Sequence, residues 1–189
     1  MELRARLSPF ADAETQTLTR SVVKVALGTL FLAASSWLAV PMFPVPITMQ
    51  TYAVLVVGAL FGARLGTITV LAWLAEAVIG LPVLAHGAAG VTVFMGPTAG
   101  YLASFPVTAA FIGWLTDRKW INGVAANLGA MLAGNVINLG MGAAWLATLV
   151  GWNKAIAAGV MPFVVGALVK AGLATATVMA ARRTFKPAV

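Results

Sequence analysis

The sequence contains no cysteine and few charged residues of either sign. Acidic residues are the scarcer group, with five Asp and Glu against twelve Lys and Arg. Charged residues make up 9% of the chain, whereas soluble domains average about 25%. The missing cysteine excludes thiol chemistry. The missing charge, together with a hydrophobic content of 61% and a mean hydropathy of +0.96, indicates an integral membrane protein.

Motifs for catalysis are absent as well. The chain has no Walker A glycine loop, no His or Cys pair at metal-ligand spacing and no nucleophile elbow, and its acids are too scattered for a catalytic pair. We therefore expect no enzyme activity, no metal and no cofactor. The net charge of +7 could indicate a nucleic-acid partner, but the positions of the cations favour membrane topology instead. Nor is there an inverted repeat with paired broken helices, which a self-contained secondary transporter often has.

The apolar segments that are present predict an all-α, polytopic membrane protein with six transmembrane helices in a single membrane domain, residues 1–189. The polar residues 1–20 are expected to form a cytoplasmic N-terminal tail. Pro41 is expected to end the first span, because proline lacks an amide donor and disfavours helix before it. The predicted spans are about 21–40, 48–62, 67–79, 96–115, 121–150 and 161–180.

The cations are distributed unevenly between the two sides of such a protein. Six spans place both termini on one side, and ten of the twelve cations fall there. Only Lys154 lies in the opposite loops, and Lys170 lies inside the last span. Because cytoplasmic loops carry an excess of Lys and Arg, both termini are expected in the cytoplasm of a prokaryote, with the chain in the cytoplasmic (inner) membrane. The ten cations are Arg4, Arg6, Arg20, Lys24, Arg64, Arg118, Lys119, Arg182, Arg183 and Lys186.

Three irregular and nearly uncharged loops lie on the other side, at 41–46, 81–95 and 151–160. The first holds three prolines, and the second is rich in Gly and Ala and contains His86, which we interpret as incidental. A stiff apolar loop is better explained as a lid or wall than as a connector in water. Irregular backbone at membrane depth is tolerated where it lines a cavity. We therefore expect these extracytoplasmic loops to cover an outward-facing pocket.

Lys170 lies close to the middle of the last apolar span. A lysine at that depth costs on the order of 3 kcal/mol on insertion scales. One explanation is a structural ion pair, for which Glu76 is the candidate because it is the only acid inside a span. The other is a cation reserved for an anionic solute. The residues alone leave both explanations open.

Four segments of the chain resemble, in order, the signatures of the BioY family, the biotin-specific S components of energy-coupling-factor (ECF) transporters. The first is 41–51, PMFPVPITMQT, which is similar to the family's V-P-x-x-P-V-P-x-T-x-Q-T stretch. The second is 77–83, AVIGLPV, and the third is 96–102, GPTAGYL. The fourth is 162–170, in which Pro162 and Phe163 precede Lys170. These matches occur in family order across most of the chain and are jointly specific.

The resemblance implies a membrane protein that captures biotin from outside with high affinity and delivers it across the membrane. It further implies a transmembrane coupling subunit and two cytoplasmic ATPase subunits as partners, besides biotin and membrane lipid, with self-association left open. The family's first helix offers small residues to the coupling subunit, and here these are Ala26, Thr29 and Ala33.

The chain departs from the family at Ala167, where an aspartate usually contacts the ligand's polar head. Candidates for a substitute are Glu76 and the asparagines of the fifth span, of which Asn127, Asn135 and Asn138 lie near one face. The departure leaves two alternatives open. One is an S component for another small vitamin, and the other is a non-transporting membrane scaffold.

Biotin has an apolar body and two polar ends, a urea and a carboxylate. A pocket for it requires mostly apolar walls and a few placed polar groups. We expect Lys170 to supply a charge-assisted hydrogen bond. The expected walls are Phe43, Phe94, Tyr101 and Trp145, and the expected hydrogen-bonding groups are Gln50, Thr51 and Asn135.

Overall fold

The computed structural model describes residues 9–184, and the described chain is almost entirely α-helical. Two short strands, β1 (Ala39–Val40) and β2 (Ile47–Thr48), pair antiparallel at the base of the proline loop. Two 3-10 turns lie in the next loop, at Ala85–Gly87 and Val91–Met95. The α-helices are α1 (Pro9–Trp37), α2 (Gln50–Val78), α3 (Ala99–Asp117), α4 (Val124–Val150), α5 (Trp152–Gly159) and α6 (Phe163–Thr184).

Five helical segments within the described residues are long and apolar enough to cross a membrane. The chain is therefore a multi-pass membrane protein built from helices, as its composition predicts. The segments are Leu18–Trp37, Gln50–Val78, Ala99–Asp117, Val124–Val150 and Phe163–Thr184.

The longest of these segments, α2, is a hairpin of two helical arms. Gly62 interrupts the helix with φ 78° and ψ 177°. A Cβ built on Gly66 would lie 3.1 Å from the Cα of Gly58. Residues eight apart along one straight helix would be about 12 Å apart, so the chain reverses at Gly62. The first arm, 50–61, and the second arm, 63–78, occupy the positions of the second and third predicted spans.

The reversal at Gly62 packs tightly against α3. A Cβ on Gly113 would collide with the backbone of Gly62 and Ala63. The Ala63 N–H donates to a carboxylate oxygen of Asp117 at 2.9 Å. Glycine is therefore required at Gly62 for its positive φ and at Gly113 for the close backbone approach. The predicted spans 48–62 and 67–79 leave residues 63–66 for the turn between them. In the structure the reversal is at Gly62.

The helices differ most from the prediction at the start of α1 and within residues 151–160. α1 begins at Pro9 within the polar segment, because Ala, Glu, Gln and Leu favour helix whether or not a bilayer surrounds them. The segment predicted as the last outer loop contains α5, Trp152–Gly159, which follows Gly151 at φ 82°. Four of its eight residues are Ala or Ile and it contains no proline, so a short helix is compatible with its sequence.

The described helices pack around three hydrophobic clusters. One joins α1, α2 and α3 around Trp73, and the second joins α2, α3, α4 and α6 around Ile112 and Met131. The third joins α3, α4, α5 and α6 around Tyr101 and Leu146. Close packing is possible where small residues meet, as where Gly58 lies against Ala109. These contacts bring the helix ends together at two opposite ends of the molecule.

One end, here called the loop end, carries residues 38–49, 79–98 and 151–162. Three indole N–H groups hold the loop 79–98 to the helices there: Trp37 donates to Pro82 O at 3.2 Å, Trp73 to Val83 O at 3.1 Å and Trp145 to Gly96 O at 2.9 Å. This loop is thus anchored to α1, the second arm of α2 and α4.

The opposite end, here called the turn end, carries the Gly62 reversal, residues 118–123 and the last turn of α6. Arg182 joins them by donating to Ile121 O at 3.1 Å and Ala59 O at 3.4 Å. The predicted cytoplasmic cations Arg4, Arg6 and Lys186 lie outside the described residues. Those that are described lie on the turn-end half, namely Arg20, Lys24, Arg64, Arg118, Lys119, Arg182 and Arg183, whereas Lys154 lies at the loop end.

Candidate ligand-binding site

A cavity of about 140 Å³ lies at the loop end. A site needs roughly 10–15 Å³ of such space for one water molecule, so this one accommodates a small organic molecule. Its walls come from α2, α3, α4 and α6 and from the loops before α2 and α3. Most of the lining is apolar, with a few polar side chains at separate points. This composition is typical of a small-molecule site.

Lys170 is the deepest charged group of the cavity. Its side chain lines the cavity from the middle of α6 and is 8% exposed. Among the described residues it forms no ion pair, and Glu76 lines a different groove, between α1 and the second arm of α2. The structure therefore does not pair Lys170 with Glu76. A buried ammonium without a carboxylate partner can interact strongly with an anion that enters the cavity.

Gln50 lines the same cavity and carries a buried amide nitrogen without a partner among the described residues. It is 6% exposed, and its Oε1 accepts a hydrogen bond from Thr48 Oγ1 at 3.0 Å. Its Nε2 has no hydrogen-bond partner in the described part of the protein. Leaving a buried polar group unpaired costs about 1–3 kcal/mol. Thr51, one residue later, also lines the cavity.

Tyr101 forms a wall of the cavity in a tightly defined position. Its ring stacks on Phe163 with centroids 6.3 Å apart. Its hydroxyl donates to Gly159 O at 2.7 Å. On the other side, a Cβ on Gly142 would overlap the Tyr101 ring. The tyrosine is thus held by α4, α5 and α6 and offers the cavity its ring.

Four of the residues that the sequence suggested for the pocket do not line this cavity. Phe43 projects from the proline loop and is 94% exposed. Phe94 packs against the α1–α2–α3 cluster instead. Trp145 uses its indole to anchor the loop 79–98. Asn135 donates to the carbonyl of Met131 in its own helix and lines a groove between α4 and α6.

Sequence reasoning missed most of the apolar lining, because neither rotation about a helix axis nor loop path is readable from hydropathy. Asn138 is predicted only as one of several candidates to replace the missing aspartate, His86 is interpreted as incidental, and Phe163 belongs to the fourth signature segment. The lining residues not assigned in advance are Val45, Pro46, Thr48, Leu84, Ala85, His86, Ala88, Val93, Thr98, Leu102, Phe105, Asn138 and Phe163.

The predicted partner contacts on α1 are divided between surface and interior. Ala26 is exposed, whereas Thr29 is 5% exposed and donates to the Ala26 carbonyl at 3.1 Å. Ala33 packs against the α1–α2–α3 cluster. Ala167 lines the α4–α6 groove and not the cavity. No group of three or more His, Asp or Glu that could hold a metal ion occurs in residues 9–184.

The model of the BioY family matches residues 6–187. The chain belongs to the BioY family. Named BioY relatives support the match over most of their length. A probable biotin transporter BioY of Pyrococcus horikoshii is 38% identical over 162 residues, which cover 84% of this chain and 94% of that protein. The biotin transporter BioY of Rhizobium etli is 37% identical and the match covers 82% and 89% of the two chains.

A solved structure is also similar to this chain. It is the crystal structure at 2.1 Å of the S-component for biotin from an ECF-type ABC transporter. The TM-score is 0.80 at 29% identity, over 89% of this chain and 93% of that one. These relatives are transporters and not enzymes, as expected from the sequence. The BioY membership also agrees with the multi-pass helical architecture.

Proposed function

We propose that this chain captures biotin at its loop end and serves as the S component of an ECF transporter that takes the vitamin up. The observation that carries the proposal is the Lys170 ammonium, which has no ion-pair partner among the described residues and lines a mostly apolar cavity. The names of the BioY relatives support biotin as the ligand. No second function is favoured by a specific observation.

The chemistry of biotin matches the cavity group by group. Lys170 is complementary to the carboxylate through a charge-assisted hydrogen bond, which is roughly twice as strong as a neutral one. Gln50 and Thr51 line the cavity at the start of α2 and are the proposed polar neighbours of the ureido group. The fused rings and the valeryl chain fit between apolar walls that include Tyr101 and Phe163. Binding would therefore satisfy the protein's buried donors while burying apolar ligand surface.

The orientation follows from the charges. Counting each arm of α2 as one crossing gives six crossings and places both ends of the chain on one side. The described cations concentrate on the turn-end half, which the excess of cytoplasmic Lys and Arg assigns to the cytoplasm. The loop end, with its cavity, then faces the extracytoplasmic side of the inner membrane. Biotin would enter from there.

The partners proposed are a transmembrane coupling subunit and two cytoplasmic ATPase subunits. The similarity to an S-component of an ECF-type ABC transporter supports membership of such a module in general. Of the small residues suggested on α1, Ala26 is exposed and thus accessible to a coupling subunit. Thr29 and Ala33 are packed inside the chain, so we propose that the contact is centred on Ala26.

Biotin is expected to raise the melting temperature of the purified protein in detergent. A ligand at about 1,000 times its Kd stabilises the folded state by about 4 kcal/mol, which corresponds to roughly 10 °C for a chain of this size. The measurement is a thermal-shift panel of biotin, thiamine and riboflavin. A shift with another vitamin and none with biotin would identify a different S component, and no shift with any of them would favour the scaffold.

Gly142→Ala is expected to weaken biotin binding about tenfold, because the added methyl group pushes the Tyr101 ring away from its position in the wall. Gly140→Ala is the matched control, since a Cβ there has nothing within 4 Å. Calorimetric Kd values for both variants make the comparison. Equal affinities would show that the Tyr101 ring has no part in binding.

A further inference from the structure

Neighbouring residues determine the orientation of the Asn138 side-chain amide, which lies on α4 and lines the cavity. Asn138 lines the cavity and is 4% exposed. Its Nδ2 donates to Ser104 Oγ at 2.6 Å and to the Tyr101 carbonyl oxygen at 3.3 Å. Both protons of the amide nitrogen are therefore used by α3.

The orientation of the Asn138 amide follows from counting protons. Ser104 Oγ donates its single proton to the Tyr101 carbonyl oxygen at 2.7 Å. In that arrangement it accepts from Asn138, and the Tyr101 carbonyl oxygen is an acceptor in any case. A flipped amide would place Oδ1 3.3 Å from that carbonyl oxygen, one acceptor against another. The nitrogen therefore faces α3.

The Asn138 Oδ1 is left without a partner in residues 9–184, and it is not among the polar atoms sealed inside the protein. The cavity is the space that this side chain lines. An amide oxygen accepts hydrogen bonds and never donates them, so this position is complementary to an N–H group. Lys170 presents a donor to the same cavity. Together the two groups match a ligand that has both donors and acceptors.

We propose that Asn138 Oδ1 accepts a hydrogen bond from a ureido N–H of biotin and makes the site selective for ligands that carry this N–H. The proposal rests on biotin being the ligand. Ala167 offers only a methyl group and lines a different groove, so it supplies no acceptor here. The acceptor is therefore Asn138 on α4 and not a residue of α6. Its side chain is held in place by hydrogen bonds to α3.

The test compares biotin with its two analogues that are methylated at one or the other ureido nitrogen. Binding is measured by isothermal titration calorimetry with the full-length protein in detergent. The wild-type protein is expected to bind biotin at least about tenfold more tightly than one of the two analogues. Asn138→Ala is expected to bind biotin about tenfold more weakly and to lose most of the discrimination against that analogue.

Asn135→Ala is the matched control, because its amide bonds to its own helix outside the cavity. It should leave the discrimination unchanged. The comparison of biotin with the two analogues on the wild-type protein needs no variant, and so it carries the test if the alanine variant does not fold. Equal wild-type affinities for biotin and both analogues would overturn the proposal.

Two further outcomes separate this proposal from the function on which it rests. In the first, the wild-type protein binds biotin while Asn138→Ala lowers the affinity for biotin and for both analogues by the same factor. In that case Asn138 acts through packing alone and the proposal is overturned. If the wild-type protein binds none of the three compounds, the assignment of biotin fails and the acceptor role falls with it.

Discussion

Lys170→Met is expected to weaken biotin binding at least about tenfold, equivalent to about 1.4 kcal/mol, and at the same time to raise the melting temperature of the ligand-free protein. The two effects share one cause. Lys170 is buried without a carboxylate partner in the described chain, so its charge costs folding energy that only an anionic ligand recovers. Methionine keeps the apolar stem and removes the charge. Titration calorimetry and thermal unfolding of the apoprotein measure the two quantities.

Lys154→Met serves as the control for this experiment. Lys154 is also a cation of the loop end, but it is exposed on α5 and does not line the cavity. Its replacement should change neither the affinity nor the melting temperature appreciably, since exposed single charges contribute little. A Lys170→Met protein with undiminished affinity would show that the carboxylate binds elsewhere.

Gly113→Ala is expected to lower the melting temperature by about 5 °C or more. The added Cβ would meet backbone atoms of Gly62 and Ala63, which cannot move aside like the end of a flexible side chain. Overpacking of this kind typically costs 1–3 kcal/mol, and each kcal/mol corresponds to roughly 2–4 °C in a chain of this length. Differential scanning fluorimetry of the detergent-solubilised protein is a suitable measurement.

Gly129→Ala is the matched control for Gly113→Ala. Gly129 is also a helical glycine, but it is exposed and a Cβ there meets nothing within 4 Å. Alanine favours helix over glycine by about 0.5–1 kcal/mol, so this variant should melt at the same or a slightly higher temperature. Equal losses in the two variants would mean that the reversal at Gly62 does not depend on a close approach of α3.

The helical architecture could be predicted because hydropathy depends on composition and is averaged over long segments. The position of the reversal in α2 could not. Sequence placed it at 63–66, where a glycine and an arginine interrupt the apolar run. Gly62 takes the positive φ instead, since the close approach of Gly113 and the hydrogen bond that the Ala63 N–H donates to Asp117 stabilise the reversal there. Such a choice depends on a neighbouring helix that local sequence does not describe.

The candidate site was predictable in its polar part and not in its full lining. Lys170 is conspicuous in an apolar span wherever the helix faces, and Gln50 and Thr51 stand at a helix start beside a stiff loop. Asn135 and Asn138, by contrast, are the same residue type less than one turn apart on α4, and they point in somewhat different directions around its axis. In a bilayer both lipid and protein neighbours are apolar, so the hydropathy of α4 does not indicate which face is internal. Only tertiary contacts distinguish the two.

Three of the six tryptophans of this chain donate their indole N–H to one loop, 79–98. Indole emission responds to the polarity around the ring and to the loss of a hydrogen bond. The intrinsic fluorescence of the unlabelled protein is consequently expected to change when that loop moves relative to the helices. Vitamin exchange at the cavity could thus be followed in real time without attaching a dye.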